Sequence, residues 1–371
     1  YLDESDPVKL LLQVETGLMT PDAAIAKARA ALRRSGVAPG YWRVLALAAE
    51  KKPDAGLRIE AMEQLLNQPA DGRPPGVGAS GLWDQYVALG EDIANREQLL
   101  RGDDAAWLEL AARLLPASPH SARAVLAALS AKAATADARR AALAQILASL
   151  QRQKLALAAA RLAAESGKFQ LRTLDAETRH ALGAASLDGG ETALAVEFWR
   201  GLPVPPNQLP DAWQVRVAAA ALKAGLHKEA GEALQPVFAA TEPLPPEVQQ
   251  RVLALAQEAS AQGQGAAAEA WLNGLLPLAE PALRREALFG LGRLAEARGD
   301  HRAAAGRFMD AALALDLRVP DAAALDARMR AARSLALAGY RRDAKAQWEW
   351  VAKNARDKGL QDLARREAER P

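Results

Sequence analysis

Apolar residues recur at spacings of three and four along nearly the whole chain, and β-branched or aromatic residues nowhere alternate with polar ones over a useful length. The first spacing is the stripe of an amphipathic helix and the second the mark of a strand, so the pattern predicts helices and no sheet. Segments of about 12–16 residues are separated by short Gly, Pro or polar breaks, the rhythm of stacked antiparallel pairs. In the N-terminal half it predicts helices over Thr20–Arg34, Tyr41–Glu50, Leu57–Leu66, Leu82–Leu100, Trp107–Leu115 and Ser121–Leu129. Ala138–Leu150 and Lys154–Ser166 follow as a pair whose turn, Gln151-Arg152-Gln153, lacks glycine. Asp104 and Ser121 read as N-caps, and Pro21 suits the first turn of a helix opened by Thr20.

The C-terminal half repeats itself. Turn glycines stand at Gly190, Gly225, Gly263, Gly299 and Gly339, separated by 35, 38, 36 and 40 residues, near the period of two helices with their connections. Five residues after each comes alanine (Ala195, Ala230, Ala268, Ala304, Ala344), and four later a large apolar group (Trp199, Leu234, Leu272, Phe308, Trp348). Seven residues before each glycine sits a small residue: Gly183, Ala218, Ala256, Gly292 and Ala332. The glycine suits the left-handed backbone that ends a helix. Small residues let the two helices of a hairpin approach closely, and the large one is expected to plug the groove against the next pair.

On these positions the chain resembles the tetratricopeptide repeat (TPR) family. Leu288-Phe289-Gly290-Leu291-Gly292, Gly299-Asp300, Ala304, Phe308 and Ala311 match the motif's small, large and turn positions; the next copy has Arg328 where a large apolar residue is usual. The resemblance covers roughly residues 175–355. It implies an all-α fold, a right-handed superhelical α-solenoid of antiparallel helix pairs, whose first helices line a concave face that binds extended peptides. Projecting the repeat phase places Gln257, Arg293 and Arg333 along that face, where two arginines suit a peptide carboxylate. The asparagine and lysine pattern of the carboxylate-clamp subgroup is missing. The organisation expected is an N-terminal helical cap over 1–66, a Gly/Pro-rich linker over 67–81, degenerate helical repeats over 82–174, TPR-like repeats over 175–355 and a C-terminal capping helix or tail over 356–371.

Composition narrows the function. The 371 residues are 50% hydrophobic and 25% charged, ordinary for a folded chain, while alanine makes up about a quarter, far above usual usage. Cysteine is absent, which removes disulfides, thiol nucleophiles and cysteine metal sites. A net charge of +2 argues against nucleic acid as partner. No apolar run is long enough for a transmembrane helix. The opening at Tyr1 reads as a processed end, giving a periplasmic or secreted location in a bacterial envelope with the signal peptide removed, and a cytoplasmic one as the alternative.

Candidate chemistry is sparse. Gly76-Val77-Gly78-Ala79-Ser80-Gly81 spells GxGxxG, but the dinucleotide fingerprint needs a preceding strand, and here a helix and Pro74-Pro75 come first. His120, His180, His227 and His301 are scattered, without metal-ligand spacing. Asp103-Asp104 suits a helix start. No cofactor or metal is expected, and no catalytic group. Trp199 and Trp348 fall on core positions, whereas Trp83, Tyr86 and Trp350 are expected on a contact surface, because amphipathic aromatics anchor interfaces. The reading is therefore a non-enzymatic scaffold or adaptor for a protein or peptide partner. Its alternative is a superhelical accessory protein at the cell wall, similar to the non-catalytic part of lytic transglycosylases.

Overall fold

The computed structural model describes residues 6–35, 39–69, 76–99, 103–315 and 320–370, and among these the regular elements are all helical. The chain forms two compact units, Tyr1–Pro203 and Val204–Pro371. The first carries α1 (Pro7–Glu15), α2 (Pro21–Ser35), α3 (Pro39–Lys51), α4 (Ala55–Leu66), α5 (Ala79–Arg96), α6 (Asp104–Leu114), α7 (Pro119–Lys132), α8 (Ala136–Arg152), α9 (Ala156–Glu165), α10 (Ala176–Asp188) and α11 (Thr192–Trp199). The second carries α12 (Pro210–Lys223), α13 (His227–Phe238), α14 (Pro246–Ala261), α15 (Gly265–Leu275), α16 (Pro281–Ala297), α17 (His301–Leu313), α18 (Ala322–Leu337), α19 (Arg341–Asn354) and α20 (Lys358–Glu369).

Within the second unit successive helices pack as hairpins, α12 with α13, α14 with α15, α16 with α17 and α18 with α19, and first helices also meet first helices, α12 with α14 and α14 with α16. Each hairpin turn is closed the same way. In the α16–α17 turn the Asp300 N–H donates to Ala295 O at 3.0 Å and Gly299 to Glu296 O at 3.0 Å, around a Gly299 at φ 76°. This glycine-ended closure satisfies carbonyls that the helix leaves unpaired, and only glycine enters that backbone region without strain. The same long bond joins Leu226 to Ala221, Gln264 to Ala259 and Tyr340 to Leu335 in the second unit, and Glu191 to Ser186 in the first. At α8–α9 the glycine-free turn uses Lys154 at φ 61°, with Leu155 donating to Leu150 O, so α9 begins two residues later than its periodicity predicts.

The small and large positions meet inside one hairpin. A Cβ on Gly183 would stand 2.2 Å from the Trp199 indole nitrogen, and one on Gly292 would stand 2.6 Å from the Phe308 ring. Ala332 and Trp348 share one buried cluster. At these positions the large residue seats on the small residue of its own first helix, in addition to the expected plug against the following pair, which Leu272 makes on Gly290 of α16. Phe308 does both, since it also packs with Ala331 of α18.

Several expected boundaries move. The cap of α6 is Asp103, accepting from the Ala106 N–H, whereas Asp104 turns to the Ala134 N–H and Thr135 hydroxyl ahead of α8. Ser121 lies inside α7, which starts at Pro119 because proline is already shaped for a first turn. The predicted linker lies partly outside the described residues, at 70–75, and its last three residues are the start of α5; Gly81 sits in a first turn, where it interrupts nothing. Arg328 fills its apolar position by stacking its guanidinium on Trp350, 3.7 Å from the ring centroid.

The first unit is tied by distant polar contacts. Gly90 of α5 lies so close to α7 that an added Cβ would stand 2.0 Å from Ala124 O. Asn67, just past α4, caps α9 from outside: its side-chain oxygen accepts from the Leu157 and Ala158 N–H groups at 3.1 and 3.2 Å. Arg161 of α9, fully buried, donates in return to Leu66 O and Gln68 O at 2.6 Å each, and to Glu191 at the start of α11.

Gly292→Ala tests the hairpin contact. Alanine favours the helix over glycine by about 1 kcal/mol, but its methyl group overlaps Phe308, and overpacking of this kind costs about 1–3 kcal/mol. Net destabilisation is expected in denaturant unfolding, with partial recovery in Gly292→Ala/Phe308→Leu; a Gly292→Ala protein more stable than the parent contradicts the assigned contact. Asp321 offers a second test. It caps α18 through the Ala324 N–H at 2.8 Å and pairs with Arg285 at 2.6 Å, and these two contacts, in that order, hold its carboxyl below the usual range. Asp321→Ala should cost about 1 kcal/mol near neutral pH. Because the folded carboxyl is the stronger acid, its contribution is present above the unfolded value and fades as pH falls through the folded one. Thermal melts of parent and variant should therefore converge in acid.

Candidate partner-binding groove

Helices α14 and α16 stand side by side, with α15 behind them. One residue after each small position the side chain faces out, and so Gln257 and Arg293 are both exposed. They line one cavity of about 240 Å³, whose floor is formed by the aliphatic groups of Leu253, Leu272 and Leu294. Leu272 is the large residue of its repeat and lies against Gly290 of α16, so the side chain that reaches the next pair also supplies the floor of the groove.

Arg333, the third expected groove residue, occupies the equivalent place on α18 and lines a larger cleft of about 780 Å³ between α18, α19 and α20. Its guanidinium lies 5.9 Å from the ring centroid of Trp348, which forms part of the cleft lining. Such a cation over an aromatic face is worth about 0.5–1 kcal/mol at an exposed site. Arg341, Arg342 and Lys345 of α19 and Arg370 after α20 line the same cleft, with Glu367 as its single carboxylate. Arg341, Arg342 and Lys345 are not marked out by the repeat phase, and Arg370 belongs to the expected C-terminal capping helix or tail. Tyr340-Arg341-Arg342 directly after the turn glycine was a visible signal, whereas the convergence of three helices was not.

The expected aromatic contact surface is corrected. Trp83 is 4% and Tyr86 0% exposed. Trp83 meets Phe169 edge to face at 5.9 Å. Tyr86 donates its hydroxyl to Glu63 Oε1 at 2.6 Å, and Arg123 donates to the same oxygen at 2.9 Å and, through its other nitrogens, to Glu63 Oε2, Ser149 Oγ and Gln153 Oε1. Burial, then the neighbouring Glu63, pushes the Tyr86 phenol well above its usual range, so it stays a donor. Burial also raises the Glu63 carboxyl, against the opposing pull of Arg123. Trp350 is half-buried beneath Arg328, whose own pKa burial lowers. At Trp83 and Tyr86 what reads as an interface in sequence is core, because each of these two rings falls on the inward face of its helix.

The histidines do not converge. His120 Nε2 lies 3.1 Å from Ser118 Oγ at the start of α7, and His227 and His301 open α13 and α17. Among the described residues no group of three or more His, Cys, Asp or Glu is placed to hold a metal ion. No helix among them is long and apolar enough to cross a membrane.

No family model matches the chain, and no curated protein matches it. Among solved structures it is similar to a Podosopora anserina putative kinesin light chain with nearly identical TPR-like repeats, at 24% identity over 49% of this chain and 97% of that one, TM-score 0.31. It is also similar to yeast Tom70, at 13% identity over 99% of this chain and 88% of that one, TM-score 0.29. The TPR-like, all-α helical repeat is established by the hairpins themselves: the shared turn closure and the large side chain seated on a small one.

The buried pair of the first unit gives a direct test of core against interface. Removing one partner leaves the other charged group buried and unmatched, which costs about 3–5 kcal/mol. Arg123→Met is expected to lower stability by that amount in urea unfolding, while Tyr86→Phe, which removes the short hydrogen bond to Glu63 and a longer one accepted from Arg123, should cost about 1.5–3 kcal/mol. Wild-type stability in both would return this region to the surface.

Proposed function

We propose that the chain is a non-enzymatic scaffold that holds a protein partner along the exposed first-helix faces of its second unit, as a component of a bacterial envelope. One observation carries this reading: outward polar side chains, Gln257 and Arg293, stand at the rim of a groove whose floor is the apolar Leu253, Leu272 and Leu294. An apolar floor with a polar rim is the composition of a protein-recognition surface. Stacked hairpins suit the role, since each repeat is held by its neighbours and leaves a long surface free.

Crosslinking in the native cell, followed by identification of the joined residues, should place partner contacts on α14, α16 or α18. Charge reversal at Arg293 and Arg333 together should weaken that partner's binding, while stability falls by no more than the Arg333–Trp348 contact, about 0.5–1 kcal/mol. Unchanged affinity removes the groove assignment. Sedimentation with purified peptidoglycan in the absence of any protein partner would replace the scaffold by the cell-wall reading, and recovery of the chain only in the cytoplasmic fraction would remove the envelope location.

A further inference from the structure

The cleft between α18, α19 and α20 has a charge balance that folding does not explain. Arg333, Arg341, Arg342, Lys345 and Arg370 line it against one carboxylate, Glu367, which Arg370 already engages at 3.0 Å. Lys345 reaches Glu349 only at 3.9 Å, with both side chains mostly exposed. Arg341 and Arg342 have no ion-pair partner among the described residues. They also occupy the first turn of α19, where the helix dipole disfavours cations. Asp343, the acidic residue of that turn, does not line the cleft. Local stability would be better served by carboxylates at both positions, so two cations held there against the helix point to something outside the chain that neutralises them.

The surface beneath the charges is apolar. Ala336, Ala344 and Trp348 line it, and Leu337 on its edge is 65% exposed. A free anion would use only the rim, whereas a peptide brings carboxylates and an apolar side chain together. Toward the other end of α19 the cationic field is interrupted, because the adjoining depression sets Glu349 and Glu369 among Lys345, Lys353 and Arg365. A phosphate backbone needs a continuous basic track, and this surface does not provide one.

We infer that this cleft is the docking site for an acidic segment of a protein partner, with carboxylates on Arg333, Arg341 and Arg342 and one large apolar side chain against Leu337 and Trp348. The inference rests on the scaffold reading and gives its partner a chemistry.

The test is fluorescence anisotropy on the full chain, using a labelled short peptide of Asp–Glu pairs flanking Leu-Phe. Binding should weaken with added salt. Arg341→Glu/Arg342→Glu should reduce affinity about tenfold or more, since each reversal replaces an attraction with a repulsion of similar size. The same variant should melt at or above the parent temperature, because glutamates suit the first turn of a helix. Arg139→Glu, exposed on α8 of the first unit, should leave this peptide's affinity unchanged. Equal binding by the double variant, or equal binding of a peptide with Lys in place of the acidic residues, overturns the proposal. So does tighter binding of a labelled single-stranded oligonucleotide, or a self-association of the chain that the double variant abolishes, which would seat a second copy in the cleft. Native crosslinking keeps the two readings apart: partners captured equally by parent and double variant sink the cleft and spare the scaffold. A chain that crosslinks to no protein sinks the scaffold whatever the peptide does.

Discussion

Close approach of two helices around a side chain with little or no bulk is the constraint that governs the second unit. Phe308 is fully buried only because Gly292 offers it no methyl group to strike, and Trp348 lies in the same cluster as Ala332. The contact fixes the spacing of the hairpin, and the large ring reaches onward to the next helix, as Phe308 does to Ala331. Close packing at this density makes the array intolerant of added volume at the small positions and indifferent to most changes one residue later. It is that indifference which leaves Gln257, Arg293 and Arg333 available for recognition.

The first unit solves the same problem with polar chemistry. Glu63, Tyr86 and Arg123 are each nearly inaccessible, and the surplus donors of Arg123 find Ser149 and Gln153. A buried charge is tolerated when its hydrogen-bonding capacity is met, and here one guanidinium links α4, α5, α7 and α8. The network adds directional constraints to a core in which alanine and leucine alone would permit sliding.

Much of this architecture was legible because its determinants are local. The turn glycines, the alanines five residues on and the large residues beyond them are read within one repeat, and all five glycines adopt positive φ, from 73° to 88°. Residues whose partners are remote were misread. Tyr86 bonds to groups 23 and 37 positions away, and no spacing rule announces such a pair. Its ring and that of Trp83 read as interface anchors because amphipathic aromatics favour contact surfaces, and the remote partners that bury them leave no local mark. Arg328 broke the expected apolar pattern, yet its guanidinium covers Trp350 much as a larger apolar group would. Of the basic cleft only Arg333 was foreseen, since its other cations come from the following helix and the chain beyond α20.

The reciprocal grip between Asn67 and α9, and between Arg161 and the end of α4, has a kinetic meaning. Each helix terminus finishes its hydrogen bonding with a group about ninety residues away along the chain. Bringing such distant segments together carries a loop-closure entropy that precedes any reward from contact, and high contact order slows folding. A hairpin of the second unit needs only its neighbour, whereas α4 emerges from the ribosome with its last carbonyls waiting for an arginine not yet synthesised. The terminal hydrogen bonding of α4 is therefore complete only in a chain that extends through α9.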